Sequence, residues 1–322
     1  MVITNYLSLP ITFGPEKLRQ VIWEVNRKTN HMSATINKSI FAILLVVSTL
    51  PQLNSYAQQP LTPASSGYAP VNGSKIYYEV YGTGDPIVLL HGAYMTINSN
   101  WSELIPILSK TRKVIAVEME GHGHTPLSQR PLSYQTLAGD VASVLKYFKI
   151  DSADILGFSY GGTVAFEFAI QHPAMTKKLI IISSTYKSEG WLQIMYTMLT
   201  GIKPDAFDNT PIKSEYIKVA PDTSDWHNFI AKMLKFSAEK FNLGDDNIKN
   251  IKAPVLLING DNDGTDKKVL GETYSLLGGN VFADVVGMPK SQLAILPAKG
   301  HGTLMMDTQS IAAIAGSFLA TK

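Results

Sequence analysis

The chain has 322 residues, a formal charge of +2, 45% apolar and 17% charged residues, and no cysteine. That length carries one large α/β domain with an insertion, and the apolar content excludes disorder throughout. No Lys/Arg block marks a nucleic-acid footprint, and the missing cysteines exclude disulfides, a thiolate nucleophile, Cys-based zinc sites and a lipid-modified N-terminal cysteine.

In chain order, residues 1–31 fit neither a leader nor a domain, so they read as a non-native upstream extension with Met32 as the true start. Residues 32–57 have the build of a signal peptide: Lys38 supplies a positive n-region, Ile40 to Leu50 an apolar core, and Ser55-Tyr56-Ala57 a small-x-small cleavage site. Eleven residues from Ile40 to Leu50 fall well short of the roughly 20 that span a bilayer, so no stable membrane insertion is expected after cleavage. The expected product is an exported, soluble protein, periplasmic or secreted, beginning near Gln58. Residues 58–73 are rich in Pro, Ser and Gly and read as a linker.

Beyond the linker, short apolar runs alternate with segments of helical period. The runs are Ile76–Tyr81, Ile87–Leu90, Val114–Val117, Ile155–Leu156, Leu179–Ser183, Val255–Ile258 and Leu293–Leu296. Tyr134–Phe148, Thr163–Gln171 and Thr308–Ala320 carry the helical pattern. Consecutive Val, Ile and Leu suit strands buried on both faces, and strands separated by helices predict a doubly wound, mostly parallel sheet of the α/β class. Residues 186–250 break the rhythm with helical sequence rich in aromatics and Met, among them Trp191, Met195, Phe207, Trp226, Phe229, Met233 and Phe236. They read as a helical cap inserted into a core of 74–185 and 251–322.

The strongest chemical signal is Gly157-Phe158-Ser159-Tyr160-Gly161-Gly162, between the strand run Ala153–Leu156 and a helical run from Thr163. Strand, turn and helix in that order form a nucleophile elbow. The central residue is held at strained angles, and its neighbours two positions away must be small. Four further segments flank it: His91-Gly92-Ala93-Tyr94 after a strand, Glu120-Gly121-His122-Gly123-His124-Thr125 after the next, and, later, Gly260-Asp261-Asn262-Asp263 and Gly300-His301-Gly302. Taken together these resemble the α/β-hydrolase fold superfamily, from about Ser74 to the C-terminus with a weak match across the cap. The closest likeness is to esterase-like serine hydrolases.

The resemblance implies a catalytic triad in the order Ser, Asp, His. Ser159 would be the nucleophile and His301, of seven histidines, the base, since imidazole titrates near neutrality. The acid would be Asp263, three residues after its glycine, with Asp261 the alternative. The backbone amides of Ala93 and Tyr160 would form the oxyanion hole, with Ala93 leaving room beside the serine. Tyr94, Tyr160 and His91 are candidates for lining the substrate site. His91 and His122, each beside a glycine in a tight turn, are read as loop support, with lining of the site the second reading for His91; His124, His172 and His227 read as surface residues. Glu120 stands where the family often has arginine or glutamine, a departure expected to touch loop packing. Relatives that act as dehalogenases carry aspartate at the position of Ser159.

His122-x-His124 alone is too short a pair for a metal site, and no Gly-x-Gly-x-x-Gly follows the first strands, so neither metal nor dinucleotide cofactor is expected. The expected partner is a small molecule. The reading is a serine hydrolase cleaving an acyl bond, most simply a carboxylic ester, of a small and largely apolar substrate. Carbon–carbon, amide or lactone hydrolysis by the same residues stays open, as does a non-catalytic binding protein on the same fold.

Overall fold

The computed structural model describes residues 61–71 and 73–321. The expected upstream extension, signal peptide and first residues of the linker lie outside the described residues.

Eight strands form one sheet in the order β1-β2-β4-β3-β5-β6-β7-β8. They are β1 Ser65–Val71, β2 Ser74–Tyr81, β3 Asp85–Leu90, β4 Arg112–Glu118, β5 Ala153–Phe158, β6 Thr176–Ile182, β7 Val255–Gly260 and β8 Gln292–Leu296. β2 pairs antiparallel with both β1 and β4, and every other pairing is parallel. In chain order the helices are α1 Ile97–Trp101, α2 Ile105–Leu108, α3 Tyr134–Tyr147, α4 Tyr160–Gln171, α5 Gln193–Gly201, α6 Pro211–Val219, α7 Trp226–Ala238, α8 Asp245–Lys249, α9 Lys267–Leu276, α10 Ala283–Val286, α11 His301–Met305 and α12 Thr308–Ala320. Among the described residues no helix is long and apolar enough to cross a membrane.

The apolar runs are continuous because alternate residues serve opposite layers. Val88, Leu90, Ile155, Ile181 and Leu257 face one core, shared with Leu137 and Val141 of α3 and Val164 and Phe168 of α4. Ile87, Leu89, Leu156, Ile182 and Ile258 face the other, shared with Trp101 of α1 and Ile311 and Phe318 of α12. Each such side chain contributes about 1.5–3 kcal/mol by leaving water, so the central strands form a rigid base for the loops at their carboxyl ends. Ser133 starts α3 by accepting the amide of Thr136, and Asp307 starts α12 by accepting that of Ser310.

One boundary needs correction. The expected linker at 58–73 contains β1, which pairs with β2 from Ser65 opposite Val80 to Val71 opposite Ser74. Its Pro, Ser and Gly suggested a connector, but Ala69 and Val71 are buried while Ser66 and Pro70 are exposed, the two-residue period of a half-buried strand. The edge position tolerates Pro70, which has no amide to donate.

Between β6 and β7 the chain runs through α5, α6, α7 and α8. Its strand-like pairings among the described residues are two isolated bridges, Lys187 with Asn242 and Trp191 with Thr265. The strand order reverses between β3 and β5, so a crevice opens outside their carboxyl ends. The loops after β3, β5, β6 and β7 meet there.

Candidate active site

Ser159 sits between β5 and α4 with φ 53 and ψ −117, a left-handed conformation that costs a non-glycine residue of order 1–3 kcal/mol. The surroundings hold it in place. Its amide donates to Ile182 O at 2.9 Å, and its carbonyl accepts from Gly162 N at 2.9 Å and from Ser184 Oγ at 2.7 Å. A Cβ on Gly157 would stand 2.2 Å from Gly161 O, and one on Gly161 would stand 2.1 Å from Leu90 O. The tight turn therefore requires glycine on both sides of the serine.

His301 opens α11 and lies between Ser159 and Asp263. The Ser159 hydroxyl is placed to donate to Nε2 at 2.9 Å, and Nδ1–H to donate to Asp263 Oδ1 at 2.9 Å. The Asp263 side chain has no exposed surface and that of His301 is 29% exposed. Burial pushes the Asp263 carboxyl up, but His301, the Ser183 hydroxyl and Lys267 together outweigh it and hold it below the usual carboxylate range. It stays ionised, able to fix the imidazole and to stabilise its charged form. Asp261 accepts the amides of Ala298 and Lys299, each at 3.0 Å. Those bonds brace the loop that carries His301 and lower the Asp261 carboxyl.

The amides expected as an oxyanion hole differ from their neighbours. Gly92 N donates to Asn100 Oδ1 at 2.8 Å and Tyr94 N to His122 Nε2 at 3.1 Å. Among the described residues the amides of Ala93 and Tyr160 donate to no protein acceptor. Both follow strands that flank the strand-order reversal, and that of Tyr160 opens the twelve-residue helix α4, whose N-terminal dipole favours negative charge.

His91 supports the loop after β3, as its first reading expected, and does not line the crevice, which corrects the second. It is fully buried, its Nδ1 bonds Gly92 O at 2.8 Å, and its Nε2 accepts the amide of Met119 at 3.0 Å. His122 is equally committed, bonding Glu120 O at 3.0 Å through Nδ1 and Tyr94 N through Nε2. Burial lowers their pKa values to about 3 and about 4 respectively, so both are neutral clamps on the loop after β3. His124 also departs from a plain surface residue: it stacks on Tyr77 at 4.1 Å and pairs with Glu118 at 2.9 Å. Buried Glu118 also accepts the amide of Ile97 at 3.1 Å, tying the turn after β4 to α1. A Cβ on Gly123 would lie 2.2 Å from that carboxylate.

The cap covers the site with aromatic surface. Tyr94 (φ 64) lies 5.3 Å from Phe207 and 6.2 Å from Phe229. Tyr160 lies 5.9 Å from Phe236, its buried hydroxyl without a hydrogen-bond partner among the described residues. Trp191 stands edge-on to His301 at 5.7 Å. Glu120, the departure from the family pattern, anchors this cap. Lys232 of α7 donates to Glu120 Oε1 at 2.9 Å and to Ser128 O at 2.7 Å, while Arg130 joins Glu120 to Asp140. The sequence reading missed Glu118, Ser183, Ser184 and Lys232. Its available signal was the Ser183-Ser184-Thr185 run of hydroxyls at the end of a central strand.

A family model described as the alpha/beta hydrolase fold matches residues 85–229. The chain is 26% identical over 262 residues to the 2-hydroxymuconate semialdehyde hydrolase of Pseudomonas sp. (strain CF600), a match covering 74% of this chain and 88% of that protein. Two further relatives match over only 38% and 40% of their own lengths. In structure, the chain is similar to the meta-cleavage product hydrolase of Pseudomonas fluorescens IP01, with a TM-score of 0.61, 19% identity, and coverage of 80% of this chain and 97% of that one. It is also similar to the naproxen esterase of Bacillus subtilis, with a TM-score of 0.61, 16% identity, and coverage of 88% and 96%.

The fold is that of the α/β hydrolases, and the matches agree with it. Within it the protein is a hydrolase, of a family acting on small molecules.

Proposed function

We propose that the protein is a serine hydrolase that cleaves a carboxylic ester of a small, largely apolar substrate through an acyl-enzyme. The observation that carries this reading is the single imidazole bonded to Ser159 Oγ on one side and Asp263 Oδ1 on the other, each at 2.9 Å. A serine hydroxyl is a weak nucleophile at neutral pH and needs such a base.

In the first half-reaction Ser159 Oγ attacks the ester carbonyl carbon while His301 Nε2 takes the hydroxyl proton. The carbonyl oxygen becomes an oxyanion received by the amides of Ala93 and Tyr160. As the tetrahedral intermediate collapses, the carbon–oxygen bond to the alcohol breaks and His301 returns the proton to the leaving alkoxide. Water then attacks the acyl-Ser159 ester with His301 again as base, releasing the acid and the free enzyme. Asp263 keeps Nδ1 protonated throughout and offsets the charge on the imidazolium.

Charge supports an uncharged substrate. Both arginines of the described residues lie in ion pairs, Arg112 with Asp154 and Arg130 with Glu120 and Asp140. Lys232 is held by Glu120 and Ser128, and Lys267 donates to Thr265 O at 2.8 Å. Trp191 against His301, and Tyr160, next to the serine in sequence, against Phe236 put apolar surface beside the site, which suits a short or medium apolar acyl group.

Hydrolysis of a carbon–carbon bond is the second reading, favoured by the likeness to the 2-hydroxymuconate semialdehyde hydrolase. The two separate in a substrate panel. p-Nitrophenyl esters of graded chain length, matched anilides, lactones and a meta-cleavage product are offered to wild type and Ser159→Ala. The proposal expects Ser159-dependent turnover of the esters to exceed that of every other class. A preference for the meta-cleavage product transfers the assignment to carbon–carbon hydrolysis, and a well-folded protein inert to all of them favours a binding role.

A further inference from the structure

Two adjacent hydroxyls stand behind the Ser159–His301–Asp263 line. β6 lies between β5, which leads to the serine, and β7, which leads to the aspartate. Its last residue, Ile182, is followed by Ser183 and Ser184. The two side chains serve different members of the line. The Ser183 hydroxyl donates to Asp263 Oδ2, the oxygen that His301 leaves unused. The Ser184 hydroxyl donates to the backbone carbonyl of Ser159 at 2.7 Å and lies 3.0 Å from Thr163 Oγ1 in α4.

Ser183 is held firmly enough to act as a reference point. It is completely buried, it adopts φ 49, and its amide donates to Ile258 O of β7 at 2.9 Å. A left-handed serine inside a core is a strained arrangement that persists only when the surroundings fix it. Asp263 needs such a point. The torsion about its Cβ–Cγ bond is broad and nearly two-fold, so the backbone alone does not decide where the two oxygens face. An ionised carboxylate only accepts hydrogen bonds, and in a fully buried position Oδ2 has to be met by a donor.

We infer that Ser183 is a positioning residue for the hydrolytic reaction: by holding Oδ2, its hydroxyl turns Oδ1 of Asp263 onto His301 Nδ1. The inference rests on the acyl-hydrolase reading of the site. Ser183 touches neither substrate nor the reacting atoms and works only through Asp263. Removing its hydroxyl frees the carboxylate to rotate, and the imidazolium that forms during attack loses a fixed partner.

The test compares wild type, Ser183→Ala, Ser184→Ala, Asp263→Asn and the Ser183→Ala/Asp263→Asn double variant on a p-nitrophenyl ester. A fluorophosphonate titrates the competent sites, so each rate is expressed per active molecule. Ser183→Ala is expected to lower kcat about tenfold, leave KM within about twofold, and move the acid limb of the kcat profile to lower pH. In the Asp263→Asn background the same substitution has no further effect, because the group it acts through is gone. Ser184→Ala, whose lost hydroxyl met the Ser159 carbonyl and Thr163 but not Asp263, leaves the acid limb in place. Ser183→Gly, which relieves the φ strain, is expected to show the same loss of kcat and serves if the alanine variant folds poorly. A Ser183→Ala or Ser183→Gly variant with wild-type kcat and limb, or an equal loss in the Asp263→Asn background, overturns the inference while leaving the hydrolase reading intact. Wild-type protein that takes no fluorophosphonate at Ser159 removes that reading, and this inference with it.

Discussion

Two aspartates two positions apart do different work because of what meets their oxygens. Asp263 is buried and faces His301, whereas Asp261 is bonded to the amides of Ala298 and Lys299. Asp263→Asn is therefore expected to lower kcat by about 10⁴-fold, while Asp261→Asn keeps kcat within about threefold and lowers only the melting temperature. Steady-state kinetics beside thermal melts check this, and an Asp261→Asn variant as inactive as Asp263→Asn contradicts the assignment. The glycines of the elbow are equally specific. In Gly161→Ala the new methyl would meet the carbonyl of Leu90 at 2.1 Å, a backbone atom that cannot turn aside. Loss of soluble folded protein, or at least a hundredfold loss of kcat, is the expected result, read from expression, circular dichroism and ester hydrolysis.

At the scale of elements, helix α7 of the cap is fastened to the core through a buried carboxylate. Glu120 has no exposed side-chain surface and meets Arg130 and Lys232. Burial pushes its carboxyl up, and the bonds from Lys232, Arg130 and Ser128 bring it below the usual range. Glu120→Ala leaves Lys232 without a carboxylate and Arg130 with Asp140 alone, which costs about 3 kcal/mol, or roughly 6–12 °C in melting temperature for a domain of this size. A melting temperature within about 2 °C of wild type would show that this carboxylate does not hold the cap.

The central strands were legible in the sequence because a parallel strand covered on both faces must be apolar at every position, as Leu89-Leu90 and Ile180-Ile181-Ile182 are. β1 was not, since an edge strand half in water has the composition of a connector and only the alternation at Ala69 and Val71 gives it away. The elbow was legible because its glycines are a local steric requirement. The contacts of Glu118 with Ile97 and of Ser183 with Asp263 join residues 21 and 80 positions apart, and no local pattern records such a pairing. The reading of His91 as lining the site failed for a related reason: adjacency to the oxyanion loop in sequence does not say which way a ring turns.

For the whole molecule, two buried histidines set how it responds to acid. Burial depresses His91 to about 3 and His122 to about 4, against about 6.5 for an unfolded histidine. The unfolded chain therefore takes up protons that the folded one refuses. Stability is fully present above pH 6.5 and declines as pH falls below it, by on the order of 5 kcal/mol at pH 4. His124, raised by its bond to Glu118, works in the opposite sense and offsets part of this. Urea midpoints at pH 7.5 and 4.5 measure the balance, and equal midpoints would contradict it. Export is a separate proposal, supported by Lys38, the apolar run from Ile40 to Leu50 and Ser55-Tyr56-Ala57. N-terminal sequencing of protein recovered outside the cytoplasm should begin at or near Gln58, whereas protein retained in the cytoplasm with its leader intact would refute it.

Everything functional depends on Ser159 being a nucleophile activated by His301, and the most direct measurement is the site of its covalent capture and the dependence of that capture on His301. Wild-type protein is treated with a fluorophosphonate and digested, and the adduct is located by mass spectrometry. One phosphonyl group on Ser159 is expected, forming at least a hundredfold slower in His301→Ala. Folded wild-type protein that forms no adduct, forms it on another residue, or reacts equally fast without His301 would contradict the account.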